Sequence, residues 1–212
     1  MKNNAFTRQN YYHEYLKNKG VDLDEHLDIT PLEVQTTIPY QEIINWSNEN
    51  LDKAIESGYY PRPYSTDDNI RQAVMLQHMG FNQHNTKFRN WGLDDEDNEK
   101  LIEMLGDSFF DDIKIDKTKC LVRILRYDPG HCIPLHSDGY GGFTDKFGEG
   151  NAKRYFVAVS PWDWGHFFQL HDNMIHHWNP GYTVEVPYHV FHCSGNCGIS
   201  PKYTLTVTGF TK

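Results

Sequence analysis

Residues 202–208 read Lys-Tyr-Thr-Leu-Thr-Val-Thr, and polar and apolar side chains alternate throughout this stretch. A period of two is typical of a β-strand whose two faces meet different surroundings. One face carries Lys202, Thr204, Thr206 and Thr208, and the other carries Tyr203, Leu205 and Val207. Because the apolar face should pack into a core, we expect the polar face, with Lys202, to point toward a polar interior.

More strand-like runs precede this one, beginning near residue 119. They are rich in β-branched and aromatic residues and are separated by Gly, Pro, Asn and Asp. The runs are Cys120 to Tyr127, Arg154 to Ser160, His166 to Leu170, Tyr182 to Val190 and Tyr203 to Phe210. Closely spaced strands without helices between them predict an antiparallel barrel or sandwich rather than a parallel βαβ sheet.

The first half of the chain has a helical period instead. Its apolar residues recur three, four or seven positions apart, which predicts short helices. The four segments are marked by Tyr11, Tyr15 and Leu16, by Ile44, Leu51 and Ile55, by Ile70 and Val74, and by Leu101 and Leu105. The acidic residues 94–97 precede the last segment and fit a helix N-terminus through the helix dipole. We expect these helices to cover one outer face of the β core.

Length and charge narrow the class of protein. The 212 residues suit a single α+β domain over residues 1–212, with a mainly helical elaboration in 1–115 and the β core in 116–212. The formal net charge of −9 makes nucleic acid an unfavourable partner. No apolar run approaches the ~18 residues of a membrane span, and the first residues do not resemble a signal peptide. We therefore expect a cytoplasmic protein with no membrane partner.

Four cysteines are present, at positions 120, 132, 193 and 197. Cys193 and Cys197 lie beside His192, which raises the possibility of a structural zinc site. Their spacing of four differs from the common C-x₂-C pair, and no second close Cys/His pair of that kind follows. Free thiols are the favoured interpretation.

The sequence contains two His-x-Asp triplets, His26-Leu27-Asp28 and His136-Ser137-Asp138. A single triplet carries little weight in a chain rich in both residues, so its context decides. The first lies in an acidic stretch without strand character, and we interpret it as surface. The second follows a strand and a Pro-Gly turn. On an extended segment, side chains two apart share a face, so His136 and Asp138 can reach one ion.

A third metal ligand would come from a distant strand, where residues 186–196 contain His189 and His192. These two side chains are three positions apart and would face opposite ways on a regular strand. Only one of them is expected to bind the metal.

Residues 120–212 resemble the Fe(II)- and 2-oxoglutarate-dependent oxygenase superfamily, particularly its prolyl-hydroxylase-like members. Members carry Tyr-x-x-Gly, then His-x-Asp, then a distant His followed after about ten residues by Arg or Lys, with a hydroxyl residue two positions later. This chain supplies these features in order as Tyr127 and Gly130, His136 and Asp138, His192, Lys202 and Thr204. The spacing to Lys202 favours His192 over His189. Lys202 replaces the bidentate Arg fork of many members by a point charge.

The resemblance implies a double-stranded β-helix, that is, a jelly-roll or cupin-like barrel with N-terminal helices on one outer face. It implies that His136, Asp138 and His192 bind Fe(II) and form the catalytic centre. 2-Oxoglutarate would bind the metal and reach Tyr127, Lys202 and Thr204. With O₂, the enzyme would release succinate and CO₂ and hydroxylate a small molecule or a peptide side chain.

Two further segments attract attention. Residues 139–150 are Gly-rich and follow the metal triplet directly, so they form either a mobile lid or an ordinary solvated loop.

Residues 166–178 hold four histidines, but His176 and His177 are adjacent and cannot readily chelate together, which favours turn and rim positions. His131 and Arg126 are weaker candidates for substrate contact.

Two alternative functions stay open. One is a cupin-type metal dioxygenase that uses no 2-oxoglutarate, against which the inward Lys202 argues. The other is a non-catalytic jelly-roll binding module, for carbohydrate for instance, which would suit the many aromatic residues. Such a module would have no need of an inward metal triad.

Overall fold

The computed structural model of the protein describes residues 32–58, 77, 80–138, 141–187 and 190–212. Several predicted features lie outside these ranges: the helical segments around Tyr11 and Ile70, the triplet at His26 and Asp28, and the rival ligand His189.

The described part contains three α-helices, one 3₁₀ turn and eleven strands. The helices are α1 (Tyr40–Glu49), α2 (Asp95–Asp112) and α3 (Gly141–Phe147), and the 3₁₀ turn is Leu51–Lys53. The first strands are β1 (Glu33–Gln35), β2 (Ile55–Gly58), β3 (Lys87–Trp91), β4 (Ile115–Tyr127), β5 (His131–His136) and β6 (Ala152–Ala158). The others are β7 (His166–Leu170), β8 (Asn173–Ile175), β9 (Tyr182–Glu185), β10 (His192–Asn196) and β11 (Lys202–Thr211).

The strands form two antiparallel sheets. One has seven strands in the order β1-β9-β6-β11-β4-β3-β2, and the other has four in the order β5-β10-β7-β8. From β4 onward, eight consecutive strands pair first with last: β4 with β11, β5 with β10, β6 with β9 and β7 with β8. This nested pairing is that of a jelly roll, also called a double-stranded β-helix. The antiparallel β core predicted for the second half is confirmed.

The strand predictions match β4, β6, β7, β9 and β11, with small differences at their ends. The run predicted to reach Val190 already ends at Glu185, shortly before Pro187, which has no backbone N–H to give to a sheet. The predicted runs omit β5, β8 and β10. β5 contains Pro134, and β10 reads His-Cys-Ser-Gly-Asn, so neither has the composition typical of a strand.

The described part of the first half contains α1, α2 and the 3₁₀ turn, but it is not helical throughout. Strands β1, β2 and β3 lie there and extend the seven-stranded sheet at its two ends. Ile55, assigned to a helix by its spacing, begins β2 and pairs with Asn90 of β3. The Asn90 amide also donates to the Ile55 carbonyl at 2.7 Å. Pairing with the sheet outweighs a weak local helical preference.

The helix predicted around Leu101 and Leu105 is present as α2. Asp94 caps it by accepting a hydrogen bond from the backbone N–H of Asp97 at 2.8 Å, and three acids occupy its first turn. The acidic run therefore marks a helix start, as predicted. Within the described residues, no helix is both long and apolar enough to pass through a membrane.

One hydrophobic core joins α1 and α2 to the large sheet. Its buried members come from both helices and from one face of β4, β6 and β11, and include Ile43, Leu101, Leu105, Phe109, Phe110, Val122, Ile124, Tyr155, Val157, Leu205 and Val207. The opposite face of the same strands is thereby left to line the space between the two sheets.

Removing the Phe109 side chain should test this packing. Phe109 is fully buried, at 0% exposure, so Phe109→Ala should lower the free energy of unfolding by about 3–5 kcal/mol through lost burial and a cavity. Ile199 is 93% exposed, so Ile199→Ala is the matched control. It should change the free energy of unfolding by less than about 0.5 kcal/mol. Denaturant unfolding measures both. Equal stability of the two variants would contradict the packing of α2 onto the sheet.

Candidate metal centre

A cavity of about 360 Å³ opens between the two sheets. Thr204, Thr206 and Thr208 of β11 line it, whereas Tyr203, Leu205 and Val207 belong to the core under the helices. The alternation predicted from the sequence of this strand is therefore confirmed. The cavity has the size of a small-molecule site.

Three predicted metal ligands meet at the cavity wall. His136 ends β5, His192 begins β10, and the two are register partners on adjacent strands. The nearer carboxylate oxygen of Asp138 lies 3.7 Å from His136 Nε2, and the other lies 3.4 Å from His192 Nε2. One ligand atom from each residue can be chosen so that all three lie within 4.8 Å of one another. Among the described residues this is the single group of three or more such side chains that could hold a metal ion.

Both histidines are held in the same way. His136 Nδ1 lies 2.8 Å from the Pro134 carbonyl oxygen, and His192 Nδ1 lies 3.0 Å from that of Val190. Because a carbonyl oxygen can only accept, each Nδ1 carries the proton and each Nε2 keeps a lone pair for a metal. Burial and the neighbouring His192 lower the pKa of His136 to about 4, so its imidazole is neutral at pH 7.

Asp138 is paired with Arg154 of β6, which was not predicted. Arg154 Nη1 contacts Asp138 Oδ2, and Arg154 Nε donates to the Thr208 hydroxyl at 2.9 Å. Burial alone would raise the pKa of Asp138, but its contact with His192 and the charge of Arg154 lower it well below its ordinary value. Asp138 is therefore an ionised carboxylate, with one oxygen oriented by Arg154. Only the pairing of β6 with β11 brings Arg154 here, and the local sequence carries no such signal.

Lys202 lies at the other end of the polar face of β11, opposite Tyr127 of β4. It is fully buried, and its Nζ donates to the Phe167 carbonyl, to the Ser194 hydroxyl at 2.6 Å and to the Gly195 carbonyl at 3.4 Å. No carboxylate among the described residues forms an ion pair with it. Burial lowers the pKa of Lys202 to about 7, with Cys193 and Cys197 opposing that shift.

Three hydroxyl groups surround this end of the cavity. Tyr127, Thr204 and Ser194 all line it. Burial raises the pKa of the Tyr127 hydroxyl, while its hydrogen bonds with Ser194 and Thr204 act in the opposite direction. The structure thus brings the predicted group of Tyr127, Lys202 and Thr204 together. Ser194 was missed, although its position two residues after His192 on the same strand would place it on the same face.

The other candidate residues lie elsewhere. Cys193 Sγ contacts the Gln169 side chain at 3.5 Å, and Cys197 is exposed; neither belongs to the metal-ligating group. His166 is buried against the Ser200 carbonyl, and His177 stacks on Trp162 with ring centroids 3.9 Å apart. None of the four histidines in 166–178 lines the cavity. His171, His176 and His177 lie in the connections around β8, as predicted, whereas His166 is buried in β7.

The Gly-rich segment after the metal triplet is not simply a loop. Residues Gly141–Phe147 form α3, and Phe143 of this helix is buried and lines the cavity. The interpretation as an ordinary solvated loop is therefore wrong for Gly141–Phe147, whereas the lid stays a prediction. Phe143 packs edge-on against Phe210 and tilted against Phe147, and these contacts stabilise the helix despite its glycines.

No family model and no curated protein matches the chain. The similar proteins are all solved structures. A predicted oxalate decarboxylase from Thermotoga maritima is 12% identical, with 58% of this chain and 81% of that one covered at a TM-score of 0.35. The Cupin_2 domain of an XRE family regulator from Enterobacter cloacae is 13% identical, with 46% and 88% covered and a TM-score of 0.34. A cupin protein from Bacteroides fragilis is 15% identical, with 43% and 65% covered and a TM-score of 0.32. At such scores the overlap carries no argument, and the jelly roll is assigned from its strand pairing.

Arg154 gives a test of how the site is built. Replacing Arg154 by Gln removes the group that orients Asp138, so Mn(II) affinity should fall about tenfold to a hundredfold while the protein stays folded. Lys153 is the matched control, because it is next in sequence but pairs with Glu185 instead. Lys153→Gln should bind Mn(II) like the wild type. Unchanged affinity in Arg154→Gln, measured by electron paramagnetic resonance of free Mn(II), would contradict the role assigned to Arg154.

Proposed function

We propose that the protein is an Fe(II)- and 2-oxoglutarate-dependent dioxygenase that hydroxylates a small molecule or a peptide side chain. One observation carries the proposal: a two-histidine, one-carboxylate cluster lines a small cavity together with Tyr127, Ser194 and Thr204. The buried Lys202 ammonium contacts two of these residues, the Ser194 hydroxyl and the Tyr127 ring. Neither feature alone would indicate this chemistry. Their combination fits a metal together with a co-substrate that has a carboxylate at each end.

The donor set fits Fe(II). Two neutral imidazole nitrogens and one carboxylate oxygen on one face of the ion leave positions open for other ligands. Ligand atoms about 2.1 Å from a metal in such an arrangement lie about 3 Å apart, close to the 3.4 and 3.7 Å measured here. When bound, Fe(II) would supply O₂ activation coupled to the oxidative decarboxylation of 2-oxoglutarate to succinate and CO₂.

The lysine end fits the far carboxylate of the co-substrate. Lys202 supplies a positive charge where no described acid compensates it, and a buried ammonium is costly without a counter-charge. The hydroxyls of Tyr127, Ser194 and Thr204 can donate to carboxylate oxygens. A bound carboxylate would also favour the protonated lysine, so the pKa of Lys202 should rise from about 7 when the co-substrate binds.

A cupin-type metal dioxygenase without 2-oxoglutarate would use the same metal cluster. It would give no role to a charge buried at the far end of the cavity. A non-catalytic jelly-roll module would need neither feature. Tests of Lys202 and of the metal ligands therefore distinguish the three candidate functions.

The metal ligands are tested by removing one donor at a time. His136→Ala and His192→Ala should each abolish stoichiometric Mn(II) binding, because each loses one of only three protein ligands. Cys193→Ser is the control, since Cys193 adjoins His192 but is not a ligand, and should bind Mn(II) normally. Zinc that is stoichiometric in the purified protein and is lost with Cys193→Ser would contradict the assignment.

Lys202 is tested with 2-oxoglutarate itself. A charge-assisted hydrogen bond contributes about 1.5–3 kcal/mol, so Lys202→Ala should weaken 2-oxoglutarate binding to Mn(II)-saturated protein about tenfold to a hundredfold. Mn(II) affinity should change little, and Lys202→Arg should keep part of the co-substrate affinity. Calorimetric titration gives both constants. Unchanged 2-oxoglutarate affinity in Lys202→Ala would favour the cupin-type alternative.

The same titration should depend on pH. Below pH 7 the amine is already protonated, and above it the proton must be taken up as 2-oxoglutarate binds. Wild-type affinity at saturating Mn(II) should therefore fall as pH rises from 6 to 8.5. In Lys202→Ala this dependence should be lost. A wild-type affinity that rises over this range would contradict a role for protonated Lys202.

A further inference from the structure

The side chains that line the cavity carry an excess of positive charge, in addition to the buried Lys202 beside it. The charged side chains that line it are Arg123, Arg154 and Asp138, two cations against one anion among the described lining residues. This contrasts with the whole chain, whose formal net charge is −9. The carboxylate of Asp138 belongs to the metal cluster and also pairs with Arg154.

Arg123 has no role in the function proposed so far. It lies on β4, and its register partner on β11 is Thr206, while Arg154 on β6 is the partner of Thr208. The two arginines therefore flank β11 on either side, at the metal end of its polar face. Lys202 is the first residue of β11, four residues before Thr206 and six before Thr208. At about 3.3 Å per residue, it lies about 13–20 Å from these threonines along the strand. Arg123 cannot duplicate the role of Lys202.

Arg123 is exposed and forms no ion pair with the residues that the structure describes. Apolar side chains surround the cavity at its position: Leu121 is two residues earlier on the same face of β4, and Leu93 and Phe143 also line the cavity. A guanidinium beside an apolar wall recognises a ligand with an oxyanion at one end and hydrocarbon next to it.

We infer that the primary substrate carries an oxyanion, a carboxylate or a phosphate, that Arg123 binds at the metal end of the cavity. This rests on the proposed function, in which 2-oxoglutarate occupies the Lys202 end. The hydrocarbon part of the substrate then lies against Leu121, Leu93 and Phe143. Uncharged and cationic substrates are disfavoured, because neither gives the Arg123 guanidinium a counter-charge.

The inference is tested with a matched set of six-carbon probes: hexanoate, hexyl phosphate, hexanamide and hexylamine. They are titrated into wild-type protein saturated with Mn(II) and 2-oxoglutarate, so that the co-substrate already occupies Lys202 and all but one of the open metal positions. Hexanoate or hexyl phosphate, whichever is tighter, should bind about tenfold or more tighter than hexanamide, and hexylamine should bind weakest. The tighter of the two anions identifies the substrate as a carboxylate or a phosphate.

The preference should depend on Arg123. Arg123→Gln should bind the anion no better than hexanamide, and Arg123→Lys should recover part of the preference. Lys119→Gln removes one positive charge from the same face of β4 but outside the cavity lining, and should keep the wild-type preference. If wild-type protein binds hexanamide as tightly as the anions, or binds no probe, or if Arg123→Gln keeps the preference, the inference is wrong.

Failure of the proposed function gives a different result. In that case 2-oxoglutarate itself does not bind the Mn(II) protein, and the probes are repeated with Mn(II) alone. A preference for anions that Arg123→Gln removes then still supports an oxyanion site at Arg123.

Discussion

The central constraint is that β11 pairs along both of its edges, with β4 and with β6. A strand held on both sides has its register fixed, and each of its side chains faces either the helices or the other sheet. Tyr203, Leu205 and Val207 are thereby buried under α1 and α2. The threonines line the cavity, and Lys202 points toward the other sheet, where it reaches Ser194. A shift of one residue would place the lysine in the hydrophobic core.

The metal cluster depends on the second sheet in a comparable way. His136 and His192 face each other because β5 and β10 pair there, and the register shifts between His192 and Ser194. Beyond that irregularity Ser194 pairs with Ile133. The extra residue lies in β5, since β10 keeps a regular register with β7. Ser194 therefore shares the face of His192, and its hydroxyl reaches the Lys202 ammonium while His192 belongs to the cluster. The two ends of the cavity are thus connected through two residues of one strand.

Some of this could be predicted from the sequence, because the signals are local. The alternation of 202–208 gives the orientation of Lys202, and the spacing of His136 and Asp138 gives a shared face. Arg154 and Arg123 could not be identified in this way, since pairing between distant strands brings them to the site. Ser194 had a local signal, its spacing of two from His192, but β10 itself was not predicted. β2 was taken for helix because an apolar residue at a helical spacing, Ile55, also fits the edge of a sheet. The helical start at Asp94 was predicted correctly because a capping side chain acts within its own turn.

In the proposed function, one cavity holds Fe(II) and 2-oxoglutarate together. The most direct measurement is the visible absorption spectrum of the wild-type protein under anaerobic conditions, with Fe(II) and 2-oxoglutarate added in turn. We expect a broad charge-transfer band that needs both ligands and saturates at one equivalent of each. Fe(II) that binds stoichiometrically without any band on addition of 2-oxoglutarate would contradict it.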